Sequence, residues 1–275
     1  MTVDNSAAGL TAQLEEEWDA LEALGAGLDD RDWALATPCP GWSVAAQFAH
    51  IIGTESMLLG RAHPEPEGAA GAGRPAHVRN DIGDFNELWV AELAPRPRTE
   101  VLARLAEVLA ARKKALEAMG DEEFSAPAST PIGPADYRRF MQIRVFDCWV
   151  HEQDVRDAVG RPGHEDGPVV EQSVDEIVRA LGFIVGKKAA APAGSSVTFE
   201  LTGPLVRTVH VAVDGRAAVV DRLPGPATTT VALGSRLFTR LACGRVDPDR
   251  MLAEVHLAGD TDLGRRVVAA LPFTI

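Results

Sequence analysis

The segment RVFDCWVHEQDVR, Arg144–Arg156, concentrates side chains that can bind a metal or move a proton. If the segment is helical, four of its side chains share one face, because they follow one another at intervals of 3, 4 and 3 residues. They are Arg144, Asp147, His151 and Asp154. Asp147 and His151 then stand one turn apart, where both can bind the same divalent cation. The spacing therefore predicts two metal ligands, with a solvated face and an Arg144–Asp147 ion pair as the alternative.

A third ligand must come from another helix. His151-Glu152 begins like the zinc-protease motif HExxH, but Val155 stands where the second histidine is required. His50 is the best candidate, because mostly small or polar residues share its face of the helix predicted to begin after Ser43. A core histidine bonded to a backbone carbonyl is the alternative. Two histidines and one carboxylate would leave a coordination position open, which is typical of catalytic zinc.

The remaining histidines and the cysteines carry weaker signals. We interpret the other histidines as structural or incidental; they are His63, His77, His164, His210 and His256. The three cysteines are far apart and have no histidine partner that the sequence can place, so neither a disulfide framework nor a nucleophilic cysteine is expected. They are Cys39, Cys148 and Cys243.

The net charge and the distribution of apolar residues indicate which kinds of partner the protein binds. The net charge of −13 disfavours nucleic acid and anionic membrane surfaces, since both attract positive charge. No apolar run approaches the ~20 residues that span a bilayer, and the N-terminus does not resemble a signal peptide. We therefore expect a cytoplasmic protein, a monomer or weak homodimer, that binds neither nucleic acid nor membranes.

The elements that would position these residues divide the chain into two regions. Helical periodicity runs through the first half, with one helix expected from about Pro134 to Val159, and a Pro/Gly/Ala-rich connection at His63–Pro75. After the AAAPAG segment, Ala189–Gly194, the pattern alternates as in strands, with Asp214-Gly215 as a hairpin signal. Further predictions in this part are a strand near 254–257 and short helices at 235–242 and 260–271. We predict a four-helix bundle at 1–165, a bridging helix and linker at 166–194, and a small α+β domain at 195–275.

Several motifs together resemble the mycothiol-dependent maleylpyruvate isomerase family. They are CPGWSVAAQFAH (Cys39–His50), HVRND (His77–Asp81), DCWVHEQDVR (Asp147–Arg156) and LACGRVDP (Leu241–Pro248) followed by VHLAGDTDLGRRVV (Val255–Val268). The resemblance covers nearly the whole chain. It implies a DinB-like four-helix metal-binding domain followed by a domain similar to sterol carrier proteins.

The resemblance also implies roles for individual residues. His50 and His151 match the family's histidine ligands, and Asp147 stands where the isomerase has a longer glutamate. Arg79 and Arg245 match arginines implicated in catalysis, so the active cleft is expected between the two domains. Three further residues are expected to line the pocket or orient the ligands. They are Asp154, Arg144 and Asn80.

The implied function is that of an enzyme with Zn²⁺, or another divalent metal, and mycothiol as its thiol cosubstrate. A metal-bound thiol would add to a small electrophilic molecule, giving cis–trans isomerisation or thiol S-transfer. Two alternatives stay open: a non-enzymatic protein that binds metal or a small ligand, and a metal-dependent hydrolase with Asp154 as base.

Overall fold

The computed structural model describes residues 3–65 and 74–274, which form two compact units, one up to His164 and one from Glu165 onward. Most of the predicted connection at His63–Pro75 lies outside the described residues, since 66–73 are not among them. No helix in the described ranges is long and apolar enough to cross a bilayer.

The first unit is mainly helical. Its helices are α1 (Ala7–Ala26), α2 (Asp30–Trp33), α3 (Val44–Leu58), α4 (Asp81–Leu93), α5 (Arg98–Glu117), α6 (Asp121–Phe124) and α7 (Tyr137–Val159). A short antiparallel hairpin, β1 (Pro127–Thr130) and β2 (Gly133–Asp136), precedes α7.

A bundle of α1, α3, α5 and α7 forms the core of this unit. The apolar stripe of α1 is fully buried, from Leu10 and Leu14 through Trp18 to Leu21. Helix α1 packs against α5 and α7, while α3 packs against α4, α5 and α7. The predicted four-helix bundle is confirmed, and it places α3 beside α7.

The ends of the two site helices follow local capping chemistry. The Ser43 hydroxyl accepts a hydrogen bond from the Ala46 amide (3.3 Å) and caps α3, as predicted. Helix α7 ends at Gly160, whose φ of +65° suits glycine. Its predicted start at Pro134 is wrong, because Pro134 lies in β2 and the Asp136 carboxylate caps the helix by accepting from the Arg139 amide (2.7 Å).

The second unit is an α+β domain, as predicted. It contains α8 (Pro168–Phe183), which continues into a π-helical turn (Ile184–Lys188), and then β3 (Ser196–Thr202), β4 (Arg207–Asp214), β5 (Arg216–Val220), β6 (Thr229–Gly234), α9 (Ser235–Ala242), α10 (Pro248–Met251), a 3₁₀ turn (Leu252–Glu254), β7 (His256–Gly259) and α11 (Thr261–Ala270). In the described chain the strands follow the order β5-β4-β3-β6-β7, with β3 and β6 parallel and the other pairs antiparallel. Strand β6 was not predicted, although its alternating Thr229, Val231 and Leu233 are all buried.

Candidate metal centre

The structure brings His50, Asp147 and His151 together where α3 packs against α7. His50 Nε2 lies 3.1 Å from one carboxylate oxygen of Asp147, and His151 Nε2 lies 3.4 Å from the other. One ligand atom from each residue falls within 4.8 Å of the other two. The three residues predicted from helix spacing and family resemblance therefore form one cluster.

The donors of this cluster fit a divalent cation. Ligands held at ~2.0–2.2 Å around tetrahedral zinc stand roughly 3.3–3.6 Å apart, close to the spacings between the imidazole nitrogens and the carboxylate. The histidines are buried (His50 5% and His151 7% exposed), whereas the Asp147 side chain is 30% exposed. A cation here would be enclosed by the imidazoles and open to a small molecule beside Asp147.

A hydrogen bond at Nδ1, the ring nitrogen that faces away from Asp147, orients His151. His151 Nδ1 lies 2.5 Å from Gln47 Oε1, so an Nδ1–H would donate to this amide and leave Nε2 of the neutral imidazole available to a cation. The Gln47 amide donates to the Thr37 hydroxyl (2.6 Å), which in turn donates to the Trp42 carbonyl (2.9 Å). The loop before α3 thus fixes the histidine ring on α7.

We expect Gln47→Met to weaken zinc binding roughly 10–100-fold, the usual effect of losing a group that orients a ligand. Methionine keeps the length of the side chain but cannot accept the Nδ1 hydrogen bond of His151. Gln47→Glu retains an acceptor and serves as the matched control. Zinc titration against a competing chelator measures both, and wild-type affinity in Gln47→Met would contradict the orienting role.

Asp154 lies beside the cluster, whereas Asn80 has a structural role at the start of α4. The fully buried Asp154 carboxylate is 3.5 Å from His151 Nδ1, on the side of the ring that faces Gln47. Asn80 caps α4, where its side chain accepts from the Gly83 amide (2.9 Å). Asp154 therefore stands behind His151, away from the Nε2 atom that faces Asp147.

A buried ion-pair network supports Asp147. Arg144 Nη1 donates to the Asp147 carboxylate, and Arg144 Nε and Nη2 donate to Glu55 (3.0 and 2.8 Å). Glu55 also accepts from Arg112 Nε (2.8 Å), and both arginines and Glu55 are almost completely buried. The alternative of a solvated helix face is therefore wrong, although its Arg144–Asp147 ion pair is present.

Electrostatics favour an anionic Asp147 and a neutral His50. Burial alone would raise the pKa of Asp147, but its interactions with His50, Arg144 and His151 hold this pKa well below its ordinary value. Burial lowers the pKa of His50, and Asp147 offsets only part of that effect. Burial also acts to lower the pKa of His151, but hydrogen bonds with Asp147 and Asp154 raise it overall. A proton would therefore compete with a cation mainly at His151.

Trp42 connects this cluster to the HVRND segment. Its ring centroid lies 5.2 Å from that of His50 and 5.6 Å from that of His151. The Trp42 indole N–H donates to Glu87 (2.8 Å), and His77 Nε2 lies 2.8 Å from the same carboxylate oxygen. The aromatic ring shields the imidazoles, a position that was not predicted for Trp42 from the sequence.

The two arginines implied by the resemblance have different surroundings. Arg79 is exposed and has no hydrogen bond or ion pair with any described residue. Arg245 lies after α9 in the second unit, where its Nη1 donates to the Cys243 carbonyl (2.8 Å). Arg79 thus has a guanidinium that can pair with a carboxylate from outside the chain.

The cysteines near the cluster differ in character. The sulfur of the half-buried Cys39 lies within 4.8 Å of a ligand atom of His151 and of Asp154, a proximity that the sequence analysis did not foresee. Cys148 is fully buried, and burial raises the pKa of its thiol well above the ordinary value. Arg144 Nη2 donates to the Cys148 sulfur (3.1 Å), so we interpret this thiol as structural.

Comparisons with known proteins cover both units. Residues 14–156 match the Mycothiol maleylpyruvate isomerase N-terminal domain, and residues 171–266 match the C-terminal domain of the same family. An uncharacterized protein of Mycobacterium tuberculosis is 31% identical over 153 residues, and the alignment covers 54% of this chain and 56% of that protein. The chain thus spans about half the length of this curated relative.

Two solved structures have a similar fold. A crystal structure of the mycothiol-dependent maleylpyruvate isomerase has a TM-score of 0.58 and 15% identity, and that of a point mutant has a TM-score of 0.55 and 14% identity. Each alignment covers 92% of this chain and 92% of the other. Identities this low show that the fold is shared and nothing further.

Proposed function

Because this chain belongs to the mycothiol maleylpyruvate isomerase family, we propose that it is a mycothiol-dependent zinc enzyme that acts on a small electrophilic substrate. The observation that carries this proposal is the cluster of His50, Asp147 and His151, with both Nε2 atoms directed at one partly exposed carboxylate. When bound there, Zn²⁺ would lower the pKa of a coordinated thiol from its free value of ~8.5 and make it nucleophilic at neutral pH.

The chain's own residues would prepare this chemistry. His50 and His151 supply neutral nitrogen donors, and Asp147 supplies the negative charge that attracts the cation. Gln47 fixes the ring of His151, and Arg144 holds the Asp147 carboxylate in its ionised form. Trp42 covers the imidazoles on one side and limits the access of water to them.

The thiolate would add to an activated carbon–carbon double bond. A carbon–sulfur bond forms, and the π electrons move onto the conjugated carbonyl as an enolate. Rotation about the former double bond and expulsion of the thiolate give cis–trans isomerisation, whereas protonation of the enolate gives a stable thioether and hence S-transfer. We assign Arg79, whose exposed guanidinium pairs with no described residue, to binding a substrate or mycothiol carboxylate, and we keep Arg245 as a second candidate for stabilising enolate charge.

The hydrolase alternative is less well supported. It would need a base beside the open face of the cluster, but Asp154 is fully buried on the Nδ1 side of His151. Asp147 is one methylene shorter than the glutamate implied for the family's isomerase, so we do not restrict the proposal to the substrate of that enzyme. We therefore propose an electrophile class, activated cis-alkenes bearing carboxylates, with maleylpyruvate as one member.

We expect turnover of maleylpyruvate or a related activated alkene only when mycothiol is present. Zinc-loaded protein is incubated with the alkene, with and without mycothiol, and isomer and thioether products are quantified. His256→Ala, at an exposed position of β7, is the control for handling and folding. Turnover without any thiol would contradict the proposal in favour of hydrolysis, and zinc binding without turnover of any alkene would favour a binding protein.

A further inference from the structure

A second cluster of possible ligands lies in the first unit. Glu17 on α1, Glu152 on α7 and His164 beyond the end of α7 each place one ligand atom within 4.8 Å of the others. His164 Nδ1 is 2.7 Å from Glu152 Oε2 and 3.4 Å from Glu17 Oε2. Both carboxylates have 0% exposure, and the His164 side chain is 12% exposed. Such a set of groups is costly to bury unless its charges are balanced.

Glu17 and Glu152 differ in how well their carboxylate oxygens are hydrogen-bonded. Glu152 also pairs with Arg156, whose Nε and Nη2 lie 2.8 and 2.7 Å from Glu152 Oε1. By contrast, both carboxylate oxygens of Glu17 are buried and accept no hydrogen bond from any described residue. Burial and the neighbouring Glu152 carboxylate raise the pKa of Glu17 well above its ordinary value. The single Nδ1–H of His164 cannot satisfy both carboxylates, so the oxygens of Glu17 are left without a hydrogen-bond donor among the described residues.

The loop that carries His164 is fixed by α7. The His164 carbonyl accepts hydrogen bonds from Trp149 Nε1 (2.9 Å) and Gln153 Nε2 (3.3 Å). These bonds hold His164 at a φ of +53°, which is unfavourable for a residue other than glycine. The imidazole is thereby kept over the two carboxylates, near the surface at Glu16, whose Oε1 lies 3.6 Å from His164 Nε2.

We propose that Glu17, Glu152 and His164 bind a second divalent transition-metal cation, of which Zn²⁺ is the representative. One imidazole and two carboxylates suit Zn²⁺ better than Ca²⁺ or Mg²⁺, which prefer all-oxygen shells of six or more ligands. The cation would bind the Glu17 oxygens, which accept no hydrogen bond from any described residue. Because the site links α1, α7 and the loop after α7, its role is to stabilise the bundle, and it does not depend on the function proposed above.

Zinc stoichiometry of the full chain tests this second site. Metal-free protein is titrated with Zn²⁺ against a chelator, and bound zinc is counted. We expect two equivalents in the wild type, one in Glu17→Gln, and one in the His50→Ala, His151→Ala double variant. Glu17→Gln keeps the size of a protonated Glu17 but removes the anionic ligand. Glu15→Gln, on the same helix and outside the cluster, is the matched control and should keep two equivalents.

Thermal unfolding provides a second readout. In the His50→Ala, His151→Ala variant, excess Zn²⁺ should raise Tm by on the order of 5 °C, since a cation that binds only the folded state stabilises it. Adding His164→Gln to that variant should remove the shift, which keeps the test valid if Glu17→Gln does not fold.

An unchanged Tm with no zinc bound in the double variant would overturn the second site and leave the proposed function untouched. Zinc bound in the double variant, with no thiol-dependent turnover in the wild type, would support this site and overturn the proposed function.

Discussion

Replacing His50 and His151 together by alanine is expected to remove zinc from the candidate centre and abolish thiol-dependent turnover. Binding of a structural zinc by four ligands is worth ~10–16 kcal/mol, so each ligand carries about 3 kcal/mol. Each single variant should therefore lose roughly a hundredfold in zinc affinity, and the double variant should lose binding at this centre altogether. Asp147 keeps its ion pair with Arg144 in the double variant, and the bundle is expected to stay folded.

Metal analysis and the alkene assay, run on the same preparations, measure this effect. His256→Ala is the matched control, since it removes a histidine from an exposed strand position of the second unit. Full zinc occupancy of the centre in the double variant, judged by its chelator-competition affinity, would exclude these histidines as ligands. A variant that loses zinc but keeps turnover would show that the reaction does not need the metal.

Asp147→Glu is expected to keep zinc within about tenfold of the wild-type affinity, whereas Asp147→Asn should lose roughly a hundredfold or more. Glutamate keeps the anionic oxygen donor, and the open side of the cluster can accommodate one methylene. Asparagine keeps the size but removes the negative charge, on which two neutral imidazoles depend to hold a cation. Chelator competition on the two variants and the wild type gives the comparison directly.

An unchanged zinc affinity in Asp147→Asn would mean that Asp147 is not a zinc ligand. If Asp147 serves only as the ion-pair partner of Arg144, Asp147→Asn would change the free energy of unfolding and leave zinc affinity unaltered. Arg144 would keep its bonds to Glu55, so the variant should still fold. Equal zinc affinities of wild type and Asp147→Asn would remove Asp147 from the ligand set and, with it, the mechanism proposed here.

Helix geometry explains why the members of the cluster could be selected from the sequence. Asp147 and His151 are four residues apart, so any helix through them aligns their side chains. His50 could be chosen because its helix face is unusually rich in small and polar residues. The burial of this face could not be predicted, because a helix with Arg144 and two aspartates on one side is equally typical of a surface.

Groups that depend on a partner element had no sequence signal. Gln47 orients His151, and Glu55 binds Arg144, only because α3 packs against α7 in one particular register. His164 was interpreted as structural or incidental, since nothing in its own segment points to Glu17, which lies far away in the sequence. The hairpin before α7 was missed because a proline at the first turn of a helix and a proline in a short strand look alike in isolation.

Crystallography of the zinc-soaked protein, with anomalous data at the zinc edge and mycothiol added, tests the central claim most directly. We expect an anomalous peak within ~2.0–2.2 Å of His50 Nε2, His151 Nε2 and an Asp147 oxygen, and a thiol sulfur ~2.3 Å from the same peak. A centre without anomalous density, in a crystal that contains both zinc and mycothiol, would contradict the claim. A zinc ion bound by these three residues, but without the mycothiol sulfur as a ligand, would also contradict the claim.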